Sequence, residues 1–212
     1  MRTIKRVIPI KPKARIWYLI DSNFLVNRYL DPTTIEDEKE KKLVKDAHNY
    51  WKVIDQQQKA SLAIVFILDI CIAETFKTLA KKYYLKPPVF PNVNKYNAVK
   101  RKLRTDLQLS IGEARKVNRN IKFHDIQTNR DIIIGVDRYF EKTLKNNYRV
   151  GICDLLILSS SKYLLDFYGF SKSDLFIITQ DSHLYKLARE LNDIPNTFNP
   201  SEKSDSHSKV FI

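Results

Sequence analysis

Residues 16–21 read IWYLID, five apolar residues followed by an aspartate. A run this short and this apolar suits a β-strand buried on both faces, and the aspartate marks its end. The same pattern recurs twice. LAIVFIL at 62–68 stops at Asp69, and LFIIT at 175–179 stops at Gln180-Asp181.

Helical patterns fill the intervals. SNFLVNRYL after Asp21 reads as a short helix, closed by the Asp31-Pro32 turn. Residues 35–60 read as a longer charged helix, with Leu43, Ala47, Tyr50, Val53 and Ile54 at helical spacing. Asp69 is placed to cap CIAETFKTLAKKYY, which Lys86-Pro87-Pro88 ends. Another helical pattern covers roughly 94–118, with Tyr96, Val99, Leu103, Leu107, Ile111 and Ala114 on one face. NIKFHDI near 120–126 is a short strand candidate, and 130–145 is helical. VGICDLLILSSSKYLLDFYG is apolar enough for a core helix ended by Gly169. SHLYKLAREL forms the last helix, and Pro195 opens a short terminal strand or loop. Buried strands alternating with helices predict an α/β fold with a mainly parallel central sheet.

Hydrophobic residues make up 43% of the 212, enough for a core rather than disorder throughout. Residues 1–200 are read as one domain with a basic insertion at about 85–119, and 201–212 as a polar tail. The net charge of +13 calls for a polyanionic partner, nucleic acid or an anionic surface. No segment approaches the roughly 20 apolar residues of a membrane span, and the basic N-terminus lacks the apolar stretch of a signal peptide. The expected location is the cytoplasm. Cys71 and Cys153 lie in apolar runs and read as buried, reduced thiols. His48, His124, His183 and His207 show no ligand spacing, which argues against zinc.

Four carboxylates remain to be explained. Asp21 and Asp181 sit where a buried strand gives way to a helix, the edge at which open parallel sheets build sites. Asp154 opens an apolar helix, and Glu74 lies about one turn into its own. Each has an ordinary explanation. Asp21 and Asp181 are good N-caps, Asp154 could cap or pair with a lysine, and Glu74 could pair with Lys77. Asp31, Asp69 and Asp193 are left to such roles. Converging carboxylates would repel one another and take up protons unless a cation joined them. Oxygen ligands without a His or Cys cluster suit Mg²⁺ or Mn²⁺.

IWYLIDSNFLV, IAETFKTLAKK, CDLLILSSSKYL and IITQDSHLYKLA resemble, in order, the four signature segments of PIN-domain nucleases. The resemblance covers roughly 16–84 and 120–198, and residues 1–14 and 85–119 depart from it. It implies a three-layer α/β/α fold and places Asp21, Glu74, Asp154 and Asp181 on the family's acidic positions. Asn23 and Thr179 match polar positions that support them. It further implies endonucleolytic cleavage of RNA, and extends to the role of toxin with an antitoxin protein as partner. A homodimer is left open.

Between 81 and 122 stand twelve basic residues against Asp106 and Glu113. Lys81, Lys82, Lys100, Arg101, Lys102, Arg104, Arg115, Lys116 and Arg119 are the candidate phosphate-tracking surface. Tyr83, Tyr84, Phe90 and Tyr96 could stack bases or be core residues. The expected chemistry is hydrolysis of phosphodiesters with Asp21 and Asp154 as direct ligands, Glu74 and Asp181 holding metal or its waters, and Asn23 and Thr179 orienting them. His183 is a lesser candidate for phosphate contact. Two rivals stand beside it: a nucleic-acid-binding module with an inactive acidic site, and a phosphatase with Asp21 as nucleophile. Asp21-Ser22-Asn23 lacks the second aspartate that would help such a nucleophile. With only four glycines and no Gly-rich loop, dinucleotide and P-loop chemistry are disfavoured.

Overall fold

The predicted strands pair as one five-stranded parallel sheet in the order β3-β2-β1-β4-β5. The strands are β1 (Ile16–Ile20), β2 (Ala63–Leu68), β3 (His124–Ile126), β4 (Leu175–Ile178) and β5 (Asn196–Phe198). The computed structural model describes residues 15–84, 89–108 and 122–202. Tyr18 aligns with Val65 on one side and Phe176 on the other, so β1 is central. All four residues of β4 are buried, as is the second half of β1, which is why these strands read as unbroken apolar runs.

Each parallel step needs a crossover, and helices supply them. The helices are α1 (Ser22–Asn27), α2 (Glu38–Lys59), α3 (Asp69–Tyr84), α4 (Val93–Leu107), α5 (Arg130–Gly135), α6 (Asp137–Lys145), α7 (Ile152–Tyr168) and α8 (Ser182–Arg189). The chain steps from β1 outward to β2 and β3, then returns across the sheet to β4 and β5. Right-handed crossovers put α1–α4 on one face and α5–α8 on the other. The Tyr18 hydroxyl reaches Gln57 of α2 on the first face, while Trp17 packs on Phe170, just beyond α7, on the second. This is the three-layer α/β/α arrangement expected from the PIN-domain resemblance. The reversal between β1 and β4 opens a crevice at the carboxyl ends of those strands.

Several local expectations are corrected. In α2 the buried stripe is Val44, Ala47, Tyr50, Trp51 and Ile54, while Leu43 and Val53 are only partly buried. Trp51 supplies the reason. It stacks on Phe24 and donates its indole N–H to the Phe24 carbonyl, which fixes the helix phase. The helix at 130–145 is two helices broken at Val136. At the break Gly135 packs so closely on α7 that a β-carbon would collide with the Ser159 hydroxyl, which donates to the Ile132 carbonyl. Gly169 does close α7, in the left-handed region at φ 65°. Of the helix expected over 94–118, α4 accounts for the part to Leu107, and 109–121 lies outside the described residues. Among the described residues no helix is long and apolar enough to cross a membrane.

Candidate active site

The end of β1, the second turn of α3 and the starts of α7 and α8 come together here, and each brings one carboxylate. β1 ends at Asp21, whose backbone N–H is held by the Ile178 carbonyl of β4. Asp21 stands at the N-cap position of α1, yet its side chain makes no cap hydrogen bond. Its Oδ2 accepts the Thr179 hydroxyl at 3.0 Å. At 1% exposure it is buried, and Asn23, two residues on, lines the crevice. The partner that holds the Asp21 side chain is thus Thr179 rather than the start of α1.

The capping explanation holds for Asp181. Its Oδ1 accepts the backbone N–H groups of His183 and Leu184, both at 2.8 Å. Its own N–H donates to Thr179 Oγ1 at 2.9 Å, so one hydroxyl links the two aspartates. Asp154 is the third residue of α7, and its Oδ2 accepts the Gly151 N–H at 2.8 Å, half of a capping box. Glu74, on α3, meets the Ser22 hydroxyl at 3.4 Å, which also donates to the Cys71 carbonyl at 3.1 Å. Glu74 forms no ion pair with Lys77 among the described residues. Asn23 lines the crevice beside Glu74, Asp154 and Asp181.

The electrostatics bind these groups into one site. Burial pushes the Asp21 carboxyl up to about 7; the charges of Asp181 and Glu74 add to this, and the Thr179 hydroxyl and Asn23 backbone oppose it. Burial likewise pushes Asp154 up to about 8, helped by Asp21, Asp181 and Glu74 and opposed by the Gly151 N–H. The Cys153 thiol rises to about 11 through burial and then through the charge and hydrogen bond of Glu74. Asp181 and Glu74 act on both Asp21 and Asp154, and Asp21 acts on Asp154, which a set of unrelated caps would not do.

The crevice encloses about 550 Å³. Its far wall is a second acidic group, Glu36, Asp37 and Glu40, from the start of α2. Lys81 and Lys82 stand on the α3 wall. Lys82 is paired with Glu40, so it braces α2 against α3 rather than facing a ligand as a lone cation. Lys100, Arg101, Lys102 and Arg104 are exposed on α4. Arg115, Lys116 and Arg119 lie outside the described residues. The proposed stacking aromatics divide. Phe90 and Tyr96 are 5% and 7% exposed and pack with Tyr83, whereas Tyr84 is 75% exposed. His183 is half-buried against Tyr148 at the start of α8 and does not line the crevice.

Sequence reading missed Ser22, Cys153 and the acidic wall. Ser22 was legible only as a neighbour of Asp21, and Cys153 passed for an apolar core residue. Nothing local marks Glu36, Asp37 and Glu40, because their approach depends on where α2 begins.

Hard oxygen donors under mutual repulsion are a donor set suited to Mg²⁺ or Mn²⁺. Among the described residues, however, no three His, Cys, Asp or Glu side chains stand as a formed ligand shell. Asp154 and Asp181 each give one oxygen to a helix N-terminus.

The fold is similar to several solved structures. FitAcB from Neisseria gonorrhoeae is 13% identical, with a TM-score of 0.47 over 86% of this chain and 97% of that one. VapBC2 from Rickettsia felis, bound to a DNA fragment from their promoter, is 12% identical, with a TM-score of 0.48 over 87% and 98%. VapBC-1 from nontypeable Haemophilus influenzae is 13% identical, with a TM-score of 0.47 over 88% and 100%. These likenesses concern the fold. No protein-family model matches the chain, and no curated protein matches it.

Proposed function

We propose that the chain is a divalent-metal-dependent endoribonuclease whose site is Asp21, Glu74, Asp154 and Asp181. The observation that carries this reading is the gathering of Glu74, Asp154 and Asp181 around one crevice, with Asp21 tied to Asp181 through the Thr179 hydroxyl and the carboxyls of Asp21 and Asp154 both pushed up by burial and by their acidic neighbours. A fold seldom gathers such charge without a use for it. The order of the four signature segments in the sequence supports the same choice.

Asp21 and Asp154 would hold the metal, with Glu74 and Asp181 completing the oxygen set. A bound Mg²⁺ or Mn²⁺ supplies Lewis-acid charge for the phosphate and for activating water. Thr179 fixes the orientation of Asp21 through its hydroxyl, and Asn23 faces the same space. Lys81, on the wall, offers positive charge to an incoming phosphate. The exposed cations of α4 extend that attraction along a strand.

The inactive-site rival draws on the two capping carboxylates, Asp154 and Asp181. The phosphatase rival makes Asp21 a nucleophile, and Asp21-Ser22-Asn23 lacks the second aspartate that would help it. Titration with Mn²⁺ by calorimetry decides between metal site and caps. Binding to the wild type that is lost in Asp21→Asn supports the site. No binding to the wild type sinks it. The toxin role rests on the resemblance alone, and a small adjoining reading frame encoding a binding partner is its test.

A further inference from the structure

Two further cavities, away from the carboxylates, share His124 of edge strand β3 as a lining residue, and each has one half of a nucleotide's chemistry. The first encloses about 540 Å³ beside edge strand β3 and the start of β1. Its walls are aromatic. Trp17 lies parallel to Phe66, 5.6 Å apart at 9°, and against Phe170 at 4.7 Å. Tyr168, largely exposed at the end of α7, stacks on Phe170 at 5.9 Å. His124, Asp125 and Gln127 border it, and among the described residues their side chains make no hydrogen bond within the chain. Burial holds His124 below its ordinary value, leaving a neutral ring with one donor and one acceptor. Aromatic faces with unspent polar groups at the edge are what a nucleobase needs. The volume falls within the roughly 300–1,000 Å³ of ligand pockets.

The second cavity, about 410 Å³, also has His124 in its wall. It is cationic, lined by Arg28, Lys59 and Lys122 with Gln58 and Ser61. Asp55 is its acid and is already committed to Arg28, at 2.9 and 3.1 Å through Nη2. The other nitrogen, Nη1, is buried and finds no acceptor among the described residues. Lys59 carries no ion pair among the described residues, and Lys122 has only a 3.5 Å contact with Asp106. Phosphate oxygens would meet positive charge here.

We propose that these two cavities together bind a nucleotide across the His124 edge of the sheet, its base in the aromatic one and its phosphate in the cationic one. The site shares no residue with the carboxylate crevice and does not depend on the nuclease reading. The ligand is either a free nucleotide or one nucleotide of a strand.

Both tryptophans report on it, Trp17 in the aromatic wall and Trp51 beneath Arg28 at 4.3 Å. The test is a fluorescence titration of the full chain at low salt in EDTA. The probes are AMP, UMP, adenosine and a 5′-phosphorylated RNA pentamer. A nucleotide probe should bind saturably with Kd below about 1 mM, and adenosine at least about tenfold more weakly than AMP. The double variant Lys59→Ala/Lys122→Ala should weaken nucleotide binding at least about tenfold and leave adenosine unchanged. Tyr168→Ala, at an exposed position, should weaken both. AMP binding as tightly as the pentamer assigns a free nucleotide, and pentamer binding alone assigns a strand. No saturable binding of any probe up to about 5 mM, or binding that neither variant weakens, overturns the proposal.

Discussion

The Thr179 hydroxyl donates to Asp21 Oδ2 at 3.0 Å, joining residues 158 positions apart in the chain. Thr179 Oγ1 in turn accepts the Asp181 N–H at 2.9 Å. One buried hydroxyl therefore aims the deepest carboxylate of the crevice and anchors the turn that carries another. Thr179→Val keeps the shape and removes both bonds. It should lower RNA cleavage by about 10–100-fold and stability by about 1–3 kcal/mol. Thr179→Ser should restore most of the activity. Parallel cleavage assays and urea unfolding of the two variants check this.

Asp181 has two separable duties, because its cap needs an oxygen and its site needs a charge. Asn also caps well. Asp181→Asn should unfold within about 0.5 kcal/mol of the wild type yet bind Mn²⁺ more weakly. Asp181→Ala should lose the metal affinity and about 1 kcal/mol of stability as well. Equal Mn²⁺ affinity in the wild type and Asp181→Asn would remove Asp181 from the site.

The raised carboxyls make the metal-free protein sensitive to pH. Asp21 and Asp154 rise from an ordinary 3.8 to about 7 and about 8, so the folded state holds protons that the unfolded chain gives up. The stability they contribute is complete below about pH 4 and is lost as pH rises through 7 and 8. In EDTA, the Tm should fall by several degrees between about pH 5 and pH 8.5. Mn²⁺ should raise it more at the upper end, since deprotonated ligands bind metal. A Tm that is flat across this range in EDTA speaks against the clustered carboxylates.

The insertion's aromatics should separate by burial. Tyr96 is stacked on Tyr83 at 4.5 Å and packed edge-on against Phe90, so Tyr96→Ala should cost about 2–4 kcal/mol. Tyr84 is exposed, and Tyr84→Ala should change stability by less than about 0.5 kcal/mol. Thermal melts of the two variants decide this.

Much of this arrangement is legible in the sequence because buried parallel strands leave unbroken apolar runs. IWYLI and LFIIT could scarcely be placed otherwise. The phase of α2 was not legible. Leu43, Val44, Tyr50, Trp51, Val53 and Ile54 give a broad stripe, and only the Trp51 bond to the Phe24 carbonyl chooses within it. Nor could sequence separate Asp21 from Asp181. An aspartate before a helix looks the same whether it caps or not, and the difference lies in where Thr179 points. The break at Gly135 depends on Ser159 across the helix interface, a contact with no local signature.

The most direct test of the site is cleavage itself. Structured and unstructured RNA should be incubated with the full chain in Mn²⁺ or in EDTA, comparing wild type with Asp154→Asn. Cleavage by the wild type in Mn²⁺, abolished by EDTA and reduced at least about a hundredfold in Asp154→Asn, is the expected result. Cleavage unchanged in the variant, or no cleavage by the wild type in Mn²⁺, would contradict a nuclease site built on these carboxylates.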